Sequence, residues 1–334
     1  MAASDGRRFG GARSAGARPP PPGPSAIRGV PAYLVALPAA SIGLIAYGYY
    51  SFLDEAPLTG RKRLLATSSA WERRMGDEQY AQMLQHNKSD ILPPNHRASV
   101  TVRRVGARIA RAADKFAAEH GLEDQIKHSG KPTFTVIRSD AANAFVLPNN
   151  HVCVLTGLFR YARDEDELAA VLGHEQAHCL ARHAGERVSG GFLTSILARF
   201  VLLLDPTGVL YTLFVPAAAL LRELPHSRDQ EIEADHIGLY LAAEACYDPR
   251  AAKRVFGRMK AGDGGSAATA VAGPPEFAST HPSYDTRLSK FDEWMPDALS
   301  QFNADGGYRC RYVREEMKKA RILAAQVAAS REGK

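Results

Sequence analysis

Cysteine is scarce in this chain. Its 334 residues hold four, Cys153, Cys179, Cys246 and Cys310, and no two form a CxxC pair. Such scatter excludes a dense disulfide framework and a cysteine-ligated metal site, and it predicts inert or buried thiols. Charge of one sign is lacking too. The formal charge is +6, and five arginines against Asp5 place +4 of it in residues 1–30. The remaining +2 is spread over some three hundred residues, too little for the electrostatic footprint of a nucleic-acid-binding domain. No nucleic-acid partner is expected.

Two absences of charge divide the N-terminal region. Residues 1–30 are almost free of acid and rich in Arg, Gly, Ala and Pro, a composition that suits a mitochondrial transit segment better than a core. Residues 29–53 carry no charge at all and include Leu34, Val35, Leu37, Ile42, Leu44, Ile45, Tyr47, Tyr49, Tyr50 and Phe52. About 20 apolar residues span a bilayer, and tyrosines favour its interface. We therefore expect one transmembrane anchor over 31–53. A juxtamembrane helical segment over 54–94, a folded domain over 95–296 and a helical tail over 297–334 follow it. Arg28 lies before the anchor and Arg61, Lys62 and Arg63 after it, so loop charge sets no orientation.

Within the folded part, apolar positions such as Val102, Val105, Ile109 and Phe116 recur at helical spacing and predict core-facing helix. Phe134–Ile137, Asn143–Leu147 and His151–Leu155 read as three short strands. Asp164 followed by Glu167 predicts a capped helix start, and that helix should run to about Gly185. The fold class expected is α+β, mainly helical, with a small sheet.

The predicted helix contains His174-Glu175-Gln176-Ala177-His178, an HExxH pattern. Residues four apart share a helix face, so both imidazoles can aim at one metal ion, with Glu175 beside them as a proton acceptor. His183, five residues past His178, is about 140° around the helix and should face elsewhere. It reads as a surface or second-helix contact. Two histidines leave zinc short of ligands. Glu231 and Asp235 are four apart further on and can supply one carboxylate for the metal and one to hold a ligand histidine. Ser227 with Gln230 would cap their helix, and Glu233, about 200° from Glu231, should face solvent.

HExxH, Glu231-x-x-x-Asp235 and Ser279-Thr280-His281-Pro282-Ser283 together resemble the membrane-associated zinc endopeptidases of family M48. Pro57-Leu58-Thr59-Gly60-Arg61-Lys62, Asn143-Ala144-Phe145 and Glu231-Ile232-Glu233-Ala234-Asp235 resemble the mitochondrial inner-membrane branch of that family. The likeness runs from about Pro57 to about Pro296. It implies a gluzincin-type domain in which His174, His178 and Glu231 bind one Zn2+ and Glu175 is the general base. It also implies that His281 donates to the oxyanion and that Asn143, Ala144 and Phe145 form an edge strand for extended substrate. Arg287 is expected to anchor the loop of His281. The partners implied are protein substrates, among them inner-membrane proteins, and the lipid bilayer, with a homo-oligomer possible. The role implied is quality control and stress-triggered cleavage, with the catalytic domain facing the intermembrane space. A bacterial or endoplasmic-reticulum relative, or a non-catalytic scaffold, would share the motifs, although a scaffold has no use for Glu175.

Phe200–Leu221 holds one charge, Asp205. A single crossing there would separate His178 from Glu231, which must meet at one ion. Asp205-Pro206-Thr207-Gly208 is a turn signal. A hairpin of two arms of about a dozen residues, dipping into the membrane or packed on the domain, is therefore expected.

Overall fold

The computed structural model describes residues 32–262, 281 and 284–332. The transit-like segment, the Gly/Ala/Ser/Pro stretch over 264–276 and the neighbours of His281 in its motif lie outside them. The chain divides into two compact units after Ser51. The first contains helix α1 (Ala32–Ser51). Its 20 residues rise about 30 Å, and Ile42, Leu44, Tyr47 and Tyr50 stand exposed on it.

The second unit opens with a hairpin of β1 (Leu53–Glu55) and β2 (Lys62–Leu64), followed by α2 (Ser69–His86), α3 (Arg97–His120) and α4 (Glu123–Ser129). On α3, Val102, Val105, Ile109 and Phe116 are all buried, as their spacing predicts. The helix stops where Gly121 takes a left-handed conformation. Strands β3 (Thr133–Ile137), β4 (Ala144–Val146) and β5 (His151–Leu155) form a sheet in the order β3-β5-β4, with β5 parallel to β3 and antiparallel to β4. β4 is thus an edge.

Helix α5 (Glu165–Leu180) starts as predicted: the Asp164 side chain accepts from the Glu167 amide at 2.8 Å, and Glu167 accepts from the Arg163 amide. Nearly every residue of α5 is buried, as befits a helix covered on all sides. It ends at Leu180, short of Gly185. Arg182 then takes a left-handed conformation, and α6 (His183–Leu204) leaves in a new direction. After a turn in which Asp205 accepts from the Thr207 and Leu210 amides, α7 runs without a break from Val209 to Glu244. Ser227 therefore lies inside a helix and does not start one. The hairpin exists, but its arms exceed a dozen residues, because both helices extend beyond the apolar stretch. Arm α6 is long and apolar enough to cross a membrane by length and composition.

α8 (Arg250–Ala261), α9 (Tyr284–Phe302) and α10 (Tyr308–Glu332) complete the described chain. Cys246, just past α7, is disulfide-bonded to Cys310 on α10, 64 residues away. This corrects the expectation of four inert thiols: spacing cannot reveal two cysteines brought together by a returning helix. Cys153 stays a free, buried thiol, and burial pushes its pKa up to about 12.

Helices α5 and α7 cross at Gly173 and Gly238. A Cβ on Gly173 would stand 2.9 Å from the Gly238 carbonyl, and one on Gly238 would stand 2.8 Å from the His174 amide. Only hydrogen at both positions lets the backbones meet. That contact brings the two halves of the predicted site together.

Candidate active site

Four side chains converge at this crossing. Nε2 of His174 lies 3.1 Å from Nε2 of His178, and Glu231 comes within 3.3 Å of the first and 3.4 Å of the second. Nδ1 of His281 is 2.8 Å from Glu231 and 3.2 Å from Nε2 of His174. All four are buried, and one donor atom from each lies within 4.8 Å of the others. Two imidazole nitrogens and a carboxylate facing one point are a donor set that suits zinc. The residues present fit such an ion.

The outer faces of the ligating groups are held as well. Nδ1 of His174 is 2.9 Å from Asp235, so a hydrogen there is donated outward and Nε2 is the nitrogen that faces the centre. Asp235 in turn accepts from Nε and Nη2 of Arg287 at 2.6 and 2.8 Å, and Nη1 of Arg287 donates to the His281 carbonyl at 3.1 Å. Arg287 thus fastens the His281 backbone to α7, and its guanidinium lies 5.0 Å over the Phe256 ring.

Charge is arranged around the same point. Burial would lift the Glu231 carboxyl, but His281, His174 and His178 hold it well below the usual carboxylate range. Burial likewise lifts Asp235, and Arg287 brings it down. Burial would lower His174, yet its hydrogen bonds to Asp235 and Glu231 outweigh that and raise it to about 9. A cation at the centre competes with that proton. Glu175 is raised, chiefly by burial. Its Oε2 accepts from the Val146 amide at 3.2 Å, while Oε1 accepts no hydrogen bond among the described residues and lies 3.6 Å from Nε2 of His281. A buried carboxylate with an open oxygen is placed to take a proton.

On β4, Leu155 donates to the Asn143 carbonyl and Leu147 to the His151 carbonyl. By the alternation of an antiparallel ladder, the main chain of Asn143 and Phe145 is spent on β5. The groups of Ala144 and Val146 point to the open edge, toward Glu175.

Two expectations are corrected. Glu233 is buried, not solvent-facing, and so is His183. The 100° step that put His183 on another face holds only within one helix, and α5 ends before it. The reversal at Arg182 swings His183 back, so that its Nδ1 lies 2.7 Å from Nδ1 of His178 and its Nε2 lies 3.0 Å from Glu233. Glu233 does face away from Glu231, but α6 and the β1–β2 turn cover that side.

The profile described as Peptidase family M48 matches residues 103–295. The chain belongs to peptidase family M48. Its enzyme class is that family's, zinc metalloendopeptidase. The chain is similar to the mitochondrial metalloendopeptidase OMA1 of Schizosaccharomyces pombe, 38% identical over 254 residues that cover 75% of this chain and 68% of that protein. It is similar to the human mitochondrial metalloendopeptidase OMA1, 30% identical over 77% of this chain and 50% of the human protein. The beta-barrel assembly-enhancing protease of Yersinia pestis is 30% identical over 47% of this chain and 33% of its own length. This M48 chain thus carries its motif on α5, its second carboxylate on α7 and His281 just before α9.

Proposed function

We propose that this M48 peptidase is a membrane-anchored enzyme of the mitochondrial inner membrane. It cleaves membrane or misfolded proteins there in quality control and stress-responsive processing, with its catalytic domain toward the intermembrane space. The relatives named as mitochondrial metalloendopeptidases support the location, and the uncharged α1 supports the anchor. The apolar end of the α6–α7 hairpin supports contact with lipid. Phe192, Ile196, Leu202, Leu203, Leu204, Val209, Leu210 and Leu213 are all exposed along it.

The convergence of His174, His178 and Glu231 beside Glu175 carries the catalytic reading. The three would hold the ion, and Asp235 would hold His174 in the ligating tautomer. Bound zinc would polarise the scissile carbonyl and supply a nucleophile near neutral pH. Glu175, desolvated and with one oxygen open, takes the proton of the attacking water and passes it to the leaving amine. The outward groups of β4 other than the Val146 amide, which Glu175 engages, pair with an extended substrate and lay its carbonyl beside Glu175. His281 is the imidazole positioned for the oxyanion. Because Nδ1 faces Glu231, that role requires a second proton on the ring or a turn of it.

Glu175→Gln tests the assignment. The expected variant keeps its zinc and loses casein or membrane-protein cleavage by about 10²–10⁴-fold. Cleavage at the parent rate with zinc bound refutes the base.

A further inference from the structure

The strongest unassigned cluster lies behind His178. The turn joining β1 and β2 is tied by the Ala56 amide to the Arg61 carbonyl and by the Gly60 amide to the Ala56 carbonyl, each 2.9 Å, with Gly60 left-handed. It presents two side chains to α7. Thr59 Oγ1 donates to Glu233 Oε1 at 2.6 Å, and Arg61 donates through Nε and Nη2 to both oxygens of Glu233 at 2.8 and 2.9 Å. The same guanidinium reaches both oxygens of Glu186 on α6, at 2.7 and 2.8 Å.

Donor and acceptor bookkeeping then runs inward. Glu233, gripped on both oxygens, can only accept, so His183 must present Nε2–H to it, and as a neutral imidazole it keeps a lone pair on Nδ1. Across 2.7 Å, His178 must donate Nδ1–H to that lone pair. His178 is thereby left with its Nε2 lone pair turned to the centre, the form a metal ligand needs. The other ligand histidine obtains this from Asp235. His178 obtains it from a relay that starts on a turn more than a hundred residues earlier in the sequence.

We infer that Arg61, with Thr59, is a positioning residue of the metal centre: through Glu233 and His183 it sets the orientation and tautomer of His178. Seating of the β1–β2 hairpin, which follows α1 directly in the chain, and metal binding are therefore two sides of one equilibrium. Other contacts seat the same stretch against the α5–α6 junction: Arg63 donates to the Ala181 carbonyl, and Arg182 donates to the Thr67 carbonyl and to Glu72. The inference rests on the zinc-centre reading above.

The full-length protein in nanodiscs tests it by chelator competition for zinc and by the visible spectrum of the cobalt-loaded form. Arg61→Met should weaken zinc binding by about 10–100-fold, the range seen when partners of ligand histidines are removed. It should also alter the cobalt spectrum. Arg61→Lys, a single-point donor, should fall between. The double variant Arg61→Met, His183→Gln should bind zinc no more weakly than the worse single variant, because both cut one relay. In the wild type, saturating zinc should slow trypsin cleavage after Arg61, Lys62 and Arg63, a reading that needs no variant. A folded Arg61→Met that binds zinc within about 2-fold of wild type with an unchanged cobalt spectrum overturns the inference, as does wild-type cleavage at an equal rate with and without zinc. Additive losses in the double variant overturn the relay. A wild type that binds no zinc overturns the zinc-centre reading as well.

Discussion

Replacing Arg287 with methionine probes the most buried charge pair among the described residues. Arg287 and Asp235 both have side chains at 0% exposure. The carboxylate spends one oxygen on Nε of Arg287, and shares the other between Nη2 and Nδ1 of His174. Methionine keeps most of the apolar stem and deletes the guanidinium, so cavity terms stay small. What remains is a desolvated carboxylate held by Nδ1 of His174, and breaking one side of a buried pair costs about 3–5 kcal/mol. For a unit this large each kcal/mol moves the midpoint by about 2–4 °C, so thermal unfolding should fall by about 6–20 °C. The assay is urea and thermal unfolding of chelator-treated protein, which keeps metal linkage out of the comparison. Adding Asp235→Asn removes the stranded charge while leaving an oxygen for His174, so the double variant should be more stable than Arg287→Met alone. A loss below about 1 kcal/mol for Arg287→Met, or a double variant less stable than the single, refutes the assignment of the cost to a stranded carboxylate.

Two further outcomes are expected. Cys310→Ser, or reduction of the Cys246–Cys310 bond, should lower stability by up to about 4 kcal/mol, the chain-entropy value for a loop of this length. Unfolding under reducing and non-reducing conditions checks it, and equal midpoints count against it. A polarity-sensitive fluorophore on Leu203→Cys in the nanodisc-embedded chain should emit as from hydrocarbon and be quenched by lipid-borne quenchers. Water-like emission untouched by those quenchers removes the hairpin from the bilayer.

Much of the site was legible because its chemistry sits at helical spacing. His174 with His178, and Glu231 with Asp235, are pairs four apart whose geometry follows from the helix alone. The apolar stripe of α3 was legible in the same way, and β5 was legible as a short apolar run. What failed depended on breaks and returns. His183 was misread because a helical wheel cannot show that α5 stops at Leu180, and Glu233 because its solvent side is covered by a turn 172 residues away from it at Arg61. Ser227 looked like a helix start because Ser and Gln at that spacing cap helices, but α7 was already under way eighteen residues earlier. The Gly173–Gly238 contact left only two glycines as its trace. Nothing local distinguishes these from glycines in open space.

The hairpin has a consequence for compartments. α6 departs from the His/Glu cluster and α7 returns to it, so whatever the tip does at a membrane, this excursion adds an even number of crossings. Everything described after α7 therefore shares one aqueous phase with that cluster. The disulfide between Cys246 and Cys310 is part of that inventory. The thiol–disulfide poise that this bond meets is the poise of the space in which peptide bonds are cut.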